Sequence, residues 1–174
     1  YQVIDSEVVD RSQYVRVKRL PLADERGFTD FLKQFIHGNK RRYKVNLDNT
    51  LDAVIRGINL GAEYGRKVQF HLSEDEGDVK ICLENYGMRP VEVLANLKET
   101  GKVPYLDHLM LSDCVWTSRR EKELIKEHGM SVVFNGRMNE RVKAGTAAVR
   151  EYMELGVPLY IGTDGEASNE DLSI

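Results

Sequence analysis

Two stretches of the chain combine side chains that bind cations or move protons: "VQFHLSE", residues 68–74, and "PLYIGTDG", residues 158–165. In the first, His71 offers an imidazole and Glu74 a carboxylate three residues further on. A neutral imidazole ligates zinc and similar metals, and a carboxylate outside the coordination shell can take a proton from bound water. If the chain turns helical past His71, that spacing sets both groups on one side. In the second stretch Asp164 stands between Thr163 and Gly165 after an apolar run. Each also has a plain structural alternative: a His satisfied at a strand end, and an Asp that caps a turn beside a glycine.

The elements that would carry these groups alternate between strand and helix. "VIDSEVV" (3–9) and "YVRVKRLPL" (14–22) have strand-like alternation, and Phe28, Phe31, Leu32, Phe35 and Ile36 form one helical face in 24–38. Leu51, Val54, Ile55, Ile58 and Leu60 form another, with Gly65 as its stop. A strand at 67–72 precedes helical material that ends in "MRPVEVLANLKETG". A strand at 108–114 precedes a helix with Ser118 as N-cap, Glu121 three residues later and Gly129 as stop. A strand at 130–136 precedes a helix over 145–156, and a strand at 157–165 closes the series. This rhythm predicts a parallel sheet covered by helices. Such folds gather chemistry at the C-terminal ends of their strands, where the loops converge. His71 with Glu74, Asp113, Asn135 and Asp164 all fall at such ends.

Composition bounds the partners. With 174 residues, 41% hydrophobic and 30% charged, the chain fits one soluble domain with a real core. A net charge of −3 gives no general attraction to a phosphate backbone, and the basic run "NKRRYK" (39–44) is expected to be a solvated loop or helix end. No nucleic acid is expected. No apolar run approaches the roughly 20 residues of a membrane span, so no membrane is expected either. Two cysteines, Cys82 and Cys114, are too few for a disulfide framework, which points to a reducing, cytoplasmic compartment. The chain starts with Tyr1 and not Met, as a processed chain or a piece of a longer one would.

Four segments together, each at a strand end, resemble a known superfamily. They are "VQFHLSEDEGDV" (68–79), "LMLSDCVWTSRRE" (109–121), "VVFNGRMNERVKAGTAAVREYMELGV" (132–157) and "PLYIGTDGEASNEDL" (158–172), the last being the most specific. The resemblance is to the metal-dependent amidohydrolases, in the branch of aminohydrolases and chlorohydrolases that includes the methylthioadenosine/S-adenosylhomocysteine deaminases. It covers roughly residues 48–174. It implies a (β/α)8 TIM barrel holding a divalent metal, zinc first, with iron or manganese as alternatives. The chain would be a single partial barrel domain over 1–174, roughly the second half, with strand-end motifs at 68–74, 109–114, 131–139 and 158–165. The resemblance further implies that His71 and Asp164 bind the metal, that Glu74 shuttles protons, and that Asp164 accepts a proton from the attacking water. Asn135 and Asn139 would line the pocket of a small heterocyclic substrate.

Departures from the family pattern bear on the same site. The family's His-x-His pair is absent: the four histidines are His37, His71, His108 and His128. Asp113 replaces a His expected in the segment after the sixth strand, where its oxygen could still bind a cation or orient water. It therefore joins Glu74 and Asp164 as a catalytic candidate. Phe134 stands where the family has His, Gly136 where it has Pro, and "RRYKVNLDN" where a His-Ala-Pro-Tyr-like segment is expected. Trp116 could stack on a planar substrate or simply form wall. His37 and His128 precede glycines at helix ends, where a cation suits the dipole. His108 is expected to be structural, and Cys114 a buried core residue.

Two functions follow as expectations. One is a metal-dependent hydrolase that cleaves a C–N bond by deamination, or a C–Cl bond, on a nitrogen heterocycle. The other is a degenerate homologue serving as a binding or assembly subunit. An open half barrel would expose unpaired strand edges, so self-association or union with the other half of the barrel is expected.

Overall fold

The structure, a computed structural model, describes residues 43–46 and 51–164. The strands expected at 3–9 and 14–22, the helix at 24–38 with His37, and everything from Gly165 onward lie outside the described residues. Strand β1 (Tyr43–Asn46) leads to α1 (Leu51–Glu63), then β2 (Val68–Leu72), α2 (Glu76–Tyr86) and α3 (Pro90–Glu99). Next come β3 (Leu109–Asp113), α4 (Arg119–Glu127), β4 (Ser131–Phe134), α5 (Gly136–Arg141), α6 (Val149–Glu154) and β5 (Leu159–Ile161). Strand β1 begins at Tyr43, so the basic run 39–44, expected to be a solvated loop or helix end, finishes in a strand. The five strands form one sheet in the order β1-β2-β3-β4-β5, and every neighbouring pair is parallel. A helix between each pair of strands supplies the return path that parallel pairing requires.

Alternation on β2 decides which way the site faces. Val68, Phe70 and Leu72 are buried, whereas Gln69 and His71 are only partly so. The register aligns Val68 with Leu109, Phe70 with Leu111, and Leu111 with Val132. That row packs with Val54 and Ile58 of α1, Val91 and Leu94 of α3, and Leu124 and Ile125 of α4 in one continuous core. Burial of each such side chain contributes about 1.5–3 kcal/mol before entropy is counted. His71 and Gln69 belong to the other face, in register with Ser112 and Met110 of β3.

Local chemistry explains most boundaries. Ser118 accepts the Glu121 N–H and Glu121 accepts the Ser118 N–H, which completes the expected capping box of α4; Gly129 ends it at φ +67. The helical material after β2 is two helices. Gly87, at φ +68, closes α2, and Pro90 opens α3, where its missing N–H costs nothing. The helix expected over 145–156 is shorter, because Gly145 sits at φ +118, a backbone that does not continue a helix. The expected long strand at 157–165 contracts to Leu159–Ile161, and Gly162 N–H makes one further bond, to Phe134 O at 3.0 Å. Among the described residues no helix is long and apolar enough to cross a membrane.

Candidate active site

Because the strands run parallel, the ends of β2, β3, β4 and β5 emerge at one edge of the sheet. Their backbones are unusual there. Ser73, Asp113, Cys114 and Asp164 adopt φ of 51°, 74°, 49° and 55°, a region disfavoured for residues with a Cβ. Strained backbone of this kind clusters at functional sites.

His71 and Asp164 meet across 93 positions of chain: His71 Nε2 lies 3.1 Å from Asp164 Oδ1. Their side chains are 16% and 13% exposed, which leaves the junction shielded yet reachable. His71 belongs to β2 itself, and no helix begins until Glu76, so the expected helical alignment of His71 with Glu74 is not how the two approach. The left-handed turn at Ser73 carries Glu74 over instead. Partial burial pushes the Glu74 carboxyl up to about 6, and the negative charges of Asp113 and Asp164 add to that while His71 opposes it. Glu74 is thus within electrostatic reach of all three.

Asp113 is fully buried, and its Oδ1 accepts from Asn135 Nδ2 at 2.8 Å. Asn135, expected to line a substrate pocket, is itself 2% exposed and spends its amide on Asp113. Gly162 keeps it there: a Cβ at that position would run into Asn135 Oδ1 and lie 2.9 Å from Val133 Cγ1. Gly162→Ala is therefore expected to lower stability by about 1–3 kcal/mol, measured by urea denaturation, through overpacking behind the site. Asn139 is wholly buried, and among the described residues neither atom of its amide has a hydrogen-bond partner. Trp116 is half exposed, with its indole N–H on Ala144 O at 2.8 Å, so the ring is anchored at its polar end. Phe134 and Gly136 prove to be one packing unit, since a Cβ on Gly136 would strike the Phe134 ring.

Of the described histidines, His108 and His128 stand apart from this cluster. His108 Nε2 donates to Ile58 O at 3.0 Å, and the ring packs edge-on against Tyr105, a structural role as expected. His128 does cap α4, but its Nδ1 accepts from Lys98 Nζ at 3.1 Å. Burial, reinforced by the Lys98 charge, lowers its pKa, so the cation beside that helix end is Lys98 and not His128. Cys114 is buried and free, as expected.

Sequence reading missed three residues near His71. Gln69 Nε2 donates to Ser112 Oγ at 2.6 Å on the His71 face, a placement that period-two alternation on the strand would have shown. Ser73 O accepts the Trp116 N–H at 2.9 Å, a tie with no signature in local sequence.

The separation of the His71–Asp164 pair suits a shared cation. Ligands about 2.0–2.2 Å from one small ion, at angles between square and tetrahedral, stand close to this separation from each other. Imidazole nitrogen and carboxylate oxygen are both suitable donors. Among the described residues no group of three or more His, Cys, Asp or Glu could hold a metal, so the pair fits as part of a shell completed by other donors.

Comparison with known proteins gives the family. The model of the amidohydrolase family matches residues 7–174. The chain belongs to the amidohydrolase family. Among its amidohydrolase relatives, the 5'-deoxyadenosine deaminase of Methanopyrus kandleri is 36% identical over 115 residues, 66% of this chain and 26% of that protein. A 5-methylthioadenosine/S-adenosylhomocysteine deaminase of Syntrophobacter fumaroxidans is 41% identical over 104 residues, 60% of this chain and 23% of that protein. Among solved structures, an adenosine deaminase of Xanthomonas campestris with bound zinc superposes with a TM-score of 0.68 at 26% identity, over 84% of this chain and 33% of that one. The chain thus spans about a quarter of the length of the curated relatives it matches. Its parallel sheet and covering helices are part of an amidohydrolase barrel of the (β/α)8 type.

Proposed function

We propose that this chain contributes catalytic and metal-binding residues to a hydrolase that deaminates a purine-like nitrogen heterocycle. The observation that carries the reading is the approach of His71 to Asp164 at 3.1 Å with the raised carboxyl of Glu74 in electrostatic reach. The relatives named for deamination of adenosine derivatives favour C–N over C–Cl cleavage.

His71 and Asp164 would hold a divalent cation, with zinc favoured by the neighbour that contains it. When bound, such an ion lowers the pKa of water toward neutrality and so supplies a nucleophile. In the overall reaction the water oxygen replaces the amino nitrogen, which leaves as ammonia. Asp164 would accept a proton from the attacking water. Glu74, poised near 6, can hold a proton and release it near neutral pH, as the shuttle to the ring and leaving nitrogen requires. Asp113, buried and held by Asn135, keeps a negative potential at Glu74.

Free, buried cysteines suit the reducing cytoplasm. Closure of the barrel beyond β1 and β5 would use strands outside the described residues or from an associated chain.

The test is metal binding. His71→Ala is expected to cut zinc or other divalent metal by at least about tenfold in affinity, read by elemental analysis after dialysis against a graded chelator. The unchanged protein should hold close to one equivalent. Equal metal content in both proteins would remove His71 from the centre and the deaminase reading with it.

A further inference from the structure

The turn that carries Asp113 is held from outside the sheet. Asp113 and Cys114 are consecutive residues in the left-handed region, and the isolated turn would relax. Cys114 O accepts from Thr117 Oγ1 at 2.9 Å and from Tyr152 OH at 3.0 Å, and the two hydroxyls also contact each other. Two hydroxyl protons serve three contacts, so the carbonyl, the threonine and the tyrosine form one closed polar triangle. Tyr152 comes from α6 and is wholly buried, and burial lifts its phenol so far that it stays a donor at any working pH. On its other side the turn is stitched to β2: Cys114 N donates to Leu72 O at 3.0 Å and Trp116 N to Ser73 O at 2.9 Å. Ser73 lies between His71 and Glu74.

We propose that Tyr152 is a positioning residue: with Thr117 it clamps the Cys114 carbonyl, and so holds Asp113 and the Ser73–Glu74 turn in one arrangement. Nothing in the local sequence "AVREYMELG" marks this tyrosine, since an apolar side chain would satisfy the helix face equally well. The buried hydroxyl is what the core does not need and the turn does.

The kinetic arm rests on the deaminase reading; a second arm does not. Tyr152→Phe keeps the ring and removes the hydroxyl. In the zinc-loaded full chain, assayed on 5'-deoxyadenosine, kcat should fall on the order of ten- to a hundredfold, because small misplacements of reacting groups cost that much. KM should stay within about twofold, since no substrate contact is lost. Thr117→Val should act in the same direction, and Thr117→Ser, which returns the hydroxyl, should recover most of the loss. Independently, amide exchange at Cys114 and Trp116 should quicken about tenfold or more relative to Leu111 and Val132 in Tyr152→Phe. If Tyr152→Phe lowers stability while those two amides exchange in step with the rest of the sheet, Tyr152 only packs and the proposal fails. If the unchanged protein turns over neither 5'-deoxyadenosine nor adenosine, deamination is the idea lost, and the exchange ratio alone decides the clamp.

Discussion

Glu74→Gln is expected to lower turnover by about 10²–10⁴-fold while the protein keeps its metal. The amide is the same size as the carboxyl but cannot take up or release a proton. Because Glu74 lies outside the His71–Asp164 pair, metal content should not follow activity down. A second effect runs the other way and needs no substrate. The Glu74 carboxyl rises from its ordinary 4.5 to about 6 in the fold, so between those values the native state binds more protons than the unfolded one. Stability contributed by the protonated form is present below about 4.5 and is lost as pH rises through about 6. In metal-free protein, Glu74→Gln should therefore gain roughly 1 kcal/mol above pH 7, after allowance for solvent screening, and flatten that slope. Urea titrations at pH 4.5 and 7.5 read it directly. A glutamine variant with full turnover would end the assignment of Glu74 as proton carrier. One with unchanged stability at both pH values would show that the site does not crowd its carboxylates as described.

The other large expected effect is structural. Glu121→Ala should cost about 3–5 kcal/mol, because it leaves a guanidinium and two helix N-termini unserved. Glu121 is wholly buried; it accepts from Arg89 Nε at 2.6 Å, from Val91 N at 3.1 Å and from Ser118 N at 2.8 Å. One side chain thus satisfies the start of α3 and the start of α4 together. Arg89 then reaches on to Trp116 O at 2.5 Å, in the segment bonded to Ser73. A loss of this size is a large share of the 5–15 kcal/mol that stabilises an ordinary domain. A midpoint shift corresponding to less than about 1 kcal/mol would place Glu121 among solvated caps, where substitution is mild.

The same residue shows how far local sequence reaches. Ser118, Glu121 and Gly129 were legible as cap, partner and stop because those contacts lie three or four positions apart. The Arg89–Glu121 pair lies 32 positions apart, and no pattern along the chain announces it. His71 and Asp164 were brought together by resemblance, each being ambiguous alone, and the fold sets them 3.1 Å apart. Asn135 stands at a strand end as read, and its Nδ2 donates to Asp113 Oδ1 while Gly162 leaves room beside its Oδ1, contacts with no sequence signature.

Periodicity and turn residues determined by themselves where β2, β3 and β4 run, that helices alternate with them, and that the polar groups leave the sheet on one edge; the short helix α5 at Gly136–Arg141 was not among the expected elements. Those features follow from backbone geometry and burial, which repeat every two or every 3.6 residues. Tertiary structure alone decided which atoms touch: the left-handed turns at Ser73 and Asp113, the raised carboxyl of Glu74, and the hydroxyl of Tyr152 beneath Cys114. Each depends on groups distant in the chain, and a short, directional contact or a buried charge has no period to reveal it.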